Sequence, residues 1–99
     1  MVTHIVMWKI KSGISEEEKK ALLSNMRERL EGLKGKIPGL LSVRFIGSPL
    51  EGTTHEMGLV TTHEKKEDIA VYAAHPEHVR VADTYVRPYT CDRVCLNFA

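Results

Sequence analysis

Apolar and polar side chains alternate from residue 2 to residue 11. Val2, His4, Val6, Trp8 and Ile10 fall on one side; Thr3, Ile5, Met7, Lys9 and Lys11 fall on the other. A period of two marks a strand. The first side is almost wholly apolar and the second is apolar in its middle, so this strand needs cover on both faces. The period then changes. Ser15 with Glu18 three residues later makes a capping box, and Glu16-Glu17-Glu18 stand where a helix dipole favours negative charge. Leu22, Met26, Leu30, Leu33 and Ile37 follow at spacings of four, four, three and four, one buried stripe. Gly32 and Gly35 weaken its last turns, and Pro38-Gly39 ends the element.

Residues 40–47 predict a second strand, 48–52 a loop, and 56–63 a third strand, so that strands two and three form a hairpin. A second helix begins near Lys66 and shows Ile69, Tyr72 and Ala73 at helical spacing. Pro76 disfavours helical angles at His75, so the helix breaks there. It resumes with His78, Val79, Ala82, Tyr85 and Val86, and Pro88 closes it. Residues 91–98 predict a last strand with Val94, Leu96 and Phe98 on one face. The order β-α-β-β-α-β with a split second helix is the ferredoxin-like α+β class, a four-stranded antiparallel sheet with helices on one face. The uncovered face still carries Ile5 and Met7. Two such sheets packed face to face predict a homodimer through the open sheet face.

Composition changes this picture little. The 99 residues, 42% hydrophobic and 27% charged, predict one globular domain over 1–99. A domain of that size buries only about two thirds of the surface its unfolded chain exposes, a second reason to expect a partner copy. A formal charge of +1, without basic clustering, gives nucleic acid no foothold. No apolar run approaches the roughly 20 residues of a bilayer span. Met1-Val2-Thr3-His4-Ile5 reads as a strand rather than the basic start of a signal peptide, so the expectation is a cytoplasmic protein without a membrane partner. Along a strand Cys91 and Cys95 stand about 13 Å apart, at ~3.3 Å per residue, too far for a disulfide. Both are expected to be small buried apolar side chains.

Three segments carry a resemblance. They are His4-Ile5-Val6-Met7-Trp8-Lys9, Ile37-Pro38-Gly39-Leu40, and the run from Glu67 to His78, whose specific part is Tyr72-x-x-His75-Pro76-x-His78. Over its whole length the chain resembles the stress-responsive A/B barrel (Dabb) family of the dimeric α+β barrel superfamily. The resemblance implies a homodimer in which each subunit holds a cleft between sheet and helices. It extends to olivetolic acid cyclase-type members, which fold a linear polyketide by aldol condensation. Their functional tyrosine and histidine match Tyr72 and His78, and their strand-one histidine matches His4. Two departures imply a different cavity and ligand. The helix-one wall, aromatic in that cyclase, is Leu22, Leu23 and Met26 here, and His63 stands where phenylalanine is common.

Each candidate has two readings. His78 shares a face with Ala82 and Tyr85 and points inward. It serves as a general base, imidazole titrating near pH 6.5, or as a helix-start histidine bonded to a carbonyl. Tyr72 either positions His78 and donates to a developing oxyanion, or is a core tyrosine. His4 is an accessory polar contact or a satisfied core histidine. Val6, Trp8, Leu22, Leu23 and Met26 are expected to wall the cleft and touch the ligand. His75, Glu77 and His78 look like metal ligands, with His55 and His63 on or near strand three, but Pro76 breaks the register between His75 and His78. No metal is expected.

No cofactor is expected either. The same barrel group holds cofactor-independent oxygenases and haem binders, yet nothing here singles out haem. The expected partners are a second copy and a small apolar carbonyl or phenolic ligand. Two functions stay open. One is proton-transfer chemistry, aldol/cyclase or lyase-like, on a carbonyl compound. The other is a non-catalytic, stress-associated dimer or higher assembly whose cleft is filled by large side chains.

Overall fold

The computed structural model describes residues 1–99. Its elements are β1 (Val2–Ile10), α1 (Glu16–Glu31), β2 (Leu40–Ile46), β3 (Met57–His63), α2 (Glu67–Ala74), α3 (Pro76–Val81) and β4 (Thr90–Phe98). A π-helical turn (Ala82–Val86) and a 3₁₀ turn (Arg87–Tyr89) link α3 to β4. The sheet is antiparallel throughout, in the order β2-β3-β1-β4. This is the ferredoxin-like α+β fold that the pattern of periods predicts.

Each helix starts and stops for a legible reason. The Glu18 amide donates to Ser15 Oγ at 3.1 Å, so the predicted cap opens α1. The helix ends at Glu31, where the Gly32 amide turns back to the Glu28 carbonyl. Leu33 and Ile37 therefore lie in turns rather than in the helix, yet both stay buried. With Met26, Leu30, Phe45, Met57 and Leu59 they form the core between α1 and the sheet. Full burial of each such side chain contributes about 1.5–3 kcal/mol. α1 is also pinned to edge strand β2: Glu31 Oε2 accepts from the Phe45 amide at 3.0 Å, and Arg27 donates to the Phe45 carbonyl at 3.2 Å.

The other edge, β4, is different. Opposite Met7 and Lys9 its pairing slips by one residue, and Asp92 takes up the extra length with φ +52°. His55 holds this bulge. Its Nε2–H donates to the Asp92 carbonyl at 3.1 Å while Thr54 donates to its Nδ1 at 2.7 Å. Val94, Leu96 and Phe98 pair with Met7, Ile5 and Thr3 on the face away from the helices, and all three are exposed. The cysteine expectation fails here. Cys95 is exposed and Cys91 half-buried, because the helices do not close over this edge strand. No helix is long and apolar enough to cross a membrane.

Candidate functional site

The break between α2 and α3 builds the site. His75 takes extended angles (φ −65°, ψ 133°), as a residue before proline prefers, and its Nδ1 accepts the Glu77 amide at 3.1 Å. The chain restarts with Pro76 at the first helical position, where a missing N–H costs nothing. Tyr72 on the last turn of α2 and His78 on the first turn of α3 then face each other, ring centroids 4.3 Å apart. His78 Nδ1 lies 3.0 Å from the Ala73 carbonyl. A carbonyl only accepts, so Nδ1 carries the proton and Nε2 keeps a lone pair. The bond expected of a structural histidine is thus present, and it is the same bond that fixes the tautomer a base needs.

Tyr72 is only 2% exposed, and its hydroxyl has no hydrogen-bond partner. Burial pushes its pKa well up, so the phenol stays protonated. Burial pushes the His78 pKa down, and the positive charges of Arg87 and Arg93 act in the same direction against the Ala73 carbonyl. The pair at neutral pH is therefore a phenol donor beside a neutral imidazole. Two more imidazoles flank the tyrosine: His63 edge-on at 5.4 Å and His4 at 6.4 Å between centroids. His4 Nδ1 donates to Asn97 Oδ1 across β1 and β4. His63 is wholly buried, with Nε2 2.9 Å from Thr61 Oγ1 and Nδ1 without a partner. Its pKa is pushed down, first by burial and then by His4.

A cavity of about 330 Å³ opens beside the rings of Tyr72, His78 and His4. His4, Val6 and Trp8 of β1 form its floor; Tyr72 and His78 stand in the opposite wall. The volume lies at the lower end of small-molecule sites. Of the five apolar residues expected to line the cleft, the geometry places Val6 and Trp8 there and the other three elsewhere. Met26 is fully enclosed in the core, and Leu22 and Leu23 pack at that core's margin. The helical stripe runs obliquely, so the α1 residue that reaches the cavity is Leu30, two turns beyond Leu23. Arg87 and Arg93, both on the cavity wall, are not among the residues expected from the sequence. A signal for Arg93 existed. With Val94, Leu96 and Phe98 turned outward, strand alternation puts Arg93, Cys95 and Asn97 on the helix side.

The remaining imidazoles are engaged elsewhere, His75 as a helix cap and His55 as the prop of the bulge. No three His, Cys, Asp or Glu side chains come together as a metal-ligand group.

Residues 2–99 match the Stress responsive A/B Barrel Domain family. A stress-response A/B barrel domain-containing protein of Arabidopsis thaliana is 32% identical over 99 residues, 95% of this chain. The chain spans 34% of that relative's length. Among solved structures, a dimeric protein of unknown function with a ferredoxin-like fold from Bacteroides fragilis superposes with a TM-score of 0.88 at 27% identity. That match covers 98% of this chain and 93% of the other. A hydroxynitrile lyase from Passiflora edulis shares the fold at TM-score 0.70 and 17% identity, over 98% of this chain and 90% of its own. The match along nearly every residue shows that the chain belongs to the stress-responsive A/B barrel domain family.

Proposed function

We propose that the protein is a homodimer, joined through the open sheet face, in which each subunit holds a small, mostly apolar carbonyl compound and moves a proton on it. The carrying observation is the unpartnered Tyr72 hydroxyl, buried beside a His78 ring whose free nitrogen is Nε2. In this reading Nε2 takes a proton from the carbon next to the carbonyl, the C–H electron pair forms an enolate, and Tyr72 donates to the enolate oxygen. Carbon–carbon bond formation or cleavage, as in aldol, cyclase or lyase chemistry, starts from that enolate. His4, held by Asn97, is an accessory polar contact, and Val6 and Trp8 pack on the ligand. Leu22, Leu23 and Met26 act from behind this wall. The dimer reading is supported by the apolar outer strip of β1 and β4 and by the dimeric Bacteroides fragilis protein of the same fold. A cavity beside His78 counts against the alternative of a filled, purely structural cleft.

The test needs no knowledge of the natural substrate. In D₂O, NMR follows exchange of the α-protons of phenylacetone, a small benzyl ketone. The protein is expected to accelerate exchange, and His78→Ala to slow it by about 10²–10⁴-fold, the usual contribution of a positioned base. Equal rates for the variant and the parent, both folded dimers, would remove His78 from the chemistry.

A further inference from the structure

The cavity carries a charge that proton transfer on a neutral ketone leaves unused. Two guanidiniums, Arg87 and Arg93, stand on its wall, and no carboxylate lines it. Arg87 is paired with Asp83 one helical turn away. Arg93 has neither an ion pair nor a hydrogen bond. The chain is otherwise near electrical balance, with a formal charge of +1, so this local excess is not a consequence of a basic protein. Arg93 directly follows the Asp92 bulge, whose carbonyl His55 grips, so the strand entering the cavity wall has a fixed geometry.

We propose that the ligand of this cavity is an oxo acid, its carboxylate held by Arg93 and its keto oxygen by the Tyr72 hydroxyl. The inference rests on the preceding reading of Tyr72 and His78 and names the substrate class for that site. A guanidinium presents a planar fork that matches a carboxylate bidentately, and one unpaired guanidinium balances one negative charge. The apolar floor of Val6 and Trp8 takes the rest of the molecule. The charge of Arg93 also reaches both reacting groups, opposing the upward push on Tyr72 and adding to the downward push on His78. Arg93 thus has two jobs: selecting an anionic ligand, and favouring the enolate that forms beside it.

Phenylpyruvate and phenylacetone share the benzyl ketone and differ in the carboxylate, so they make the probe pair. Calorimetric titration of the purified protein is expected to show phenylpyruvate binding at least about tenfold more tightly, as a charge-assisted bond gives. Arg93→Met should erase that preference, and Arg93→Lys should retain part of it. Arg93 lies exposed on an edge strand, and a thermal melt verifies that each variant is folded. Equal affinity of the parent for the two probes overturns the proposal, as does a preference that survives Arg93→Met. In either case phenylacetone still shifting the His78 ring protons leaves the carbonyl site standing. If neither probe perturbs His78, both readings fall.

Discussion

His78 lies 4.3 Å from Tyr72, ring centroid to centroid, while its Nδ1–H is engaged by the carbonyl of Ala73, the residue that follows Tyr72. One helix end thus supplies both the phenol and the anchor that orients the imidazole. The proline between them does the folding work. Without the extended backbone at His75, a continuous helix would place residues 72 and 78 about 600° apart, at 3.6 residues per turn, on different faces. The kink returns His78 to the side of Tyr72.

The Tyr72 hydroxyl makes no hydrogen bond in the folded protein, so removing it loses no protein contact. An unsatisfied buried polar group costs about 1–3 kcal/mol. Tyr72→Phe is therefore expected to be at least as stable as the parent, by up to about 1 kcal/mol, measured by urea denaturation. The same substitution should weaken phenylacetone binding several-fold. A variant destabilised by more than about 1 kcal/mol would show that the hydroxyl has an architectural partner.

The pH profile carries a sign. Burial chiefly lowers the His78 pKa, and Arg87, His4 and Arg93 add to it. A base with a depressed pKa is active above that value and protonated below it. Ketone exchange should accordingly rise through one ionisation below 6.5, the ordinary imidazole value, and level off toward neutral pH. Arg93→Met removes a positive neighbour, so it should move that limb to higher pH. A limb at or above the ordinary value in the parent protein would contradict the buried-base assignment.

Much of this architecture was legible in the residues. Period two at 2–11, the Ser15 cap and Pro76 each act through local backbone physics, and the elements they announce are present; the first helix, however, ends at Glu31, ahead of the Pro38-Gly39 stop. Tyr72, His78 and His4 come together because strand and helix faces follow from period and because Pro76 breaks the helix between the first two. The cavity wall was less legible. Leu22, Leu23 and Met26 lie on the right helix, but the crossing of α1 over the sheet decides which turn reaches the cavity, and sequence spacing does not encode that crossing. The bulge at Asp92 and the π-helical turn at Ala82–Val86 are likewise responses to packing rather than to a local signal. Cys95 shows the same limit, since edge position is a property of strand order.

His63 offers a prediction about stability rather than activity. Its pKa and that of His78 are both held below 6.5 in the folded state, for His63 by burial and His4 against Asp68. As pH falls past the ordinary imidazole value the unfolded chain takes up protons that the folded chain refuses. Stability must then decline between about 6.5 and the two depressed values. His63→Phe removes one of these groups together with its unpartnered Nδ1. Urea denaturation at a series of pH values should give a shallower acid slope for the variant, and an unchanged slope would mean that His63 is not titrating.

Gly39 stands at φ +80°, and a Cβ there would collide with the Asp68 side chain. Asp68 in turn accepts the Lys65 amide at 3.2 Å, at the start of the helix that carries Tyr72. Gly39→Ala combines a disfavoured backbone with displacement of that carboxylate. It should cost about 1–3 kcal/mol in urea denaturation. A cost below about 0.5 kcal/mol would show that the turn relaxes freely.

The open face of the sheet supplies the last expectation. Leu96 is 62% exposed and Phe98 46%, beside Val94 and Met7, on strands whose other side faces the helices. Covering side chains of this size contributes about 1.5–3 kcal/mol each, a large share of the stability of a small domain. The thermal midpoint of the parent should therefore rise with protein concentration, because association stabilises by mass action. Leu96→Glu places a charge where the partner sheet would bury it, so sedimentation should find a monomer with a lower, concentration-independent midpoint. The Tyr72–His78 pair is formed within one subunit, so this monomer should still bind phenylacetone when folded. Loss of binding in a folded monomer would mean that the partner copy completes the cavity, and a dimer that survives Leu96→Glu would place the interface on another face.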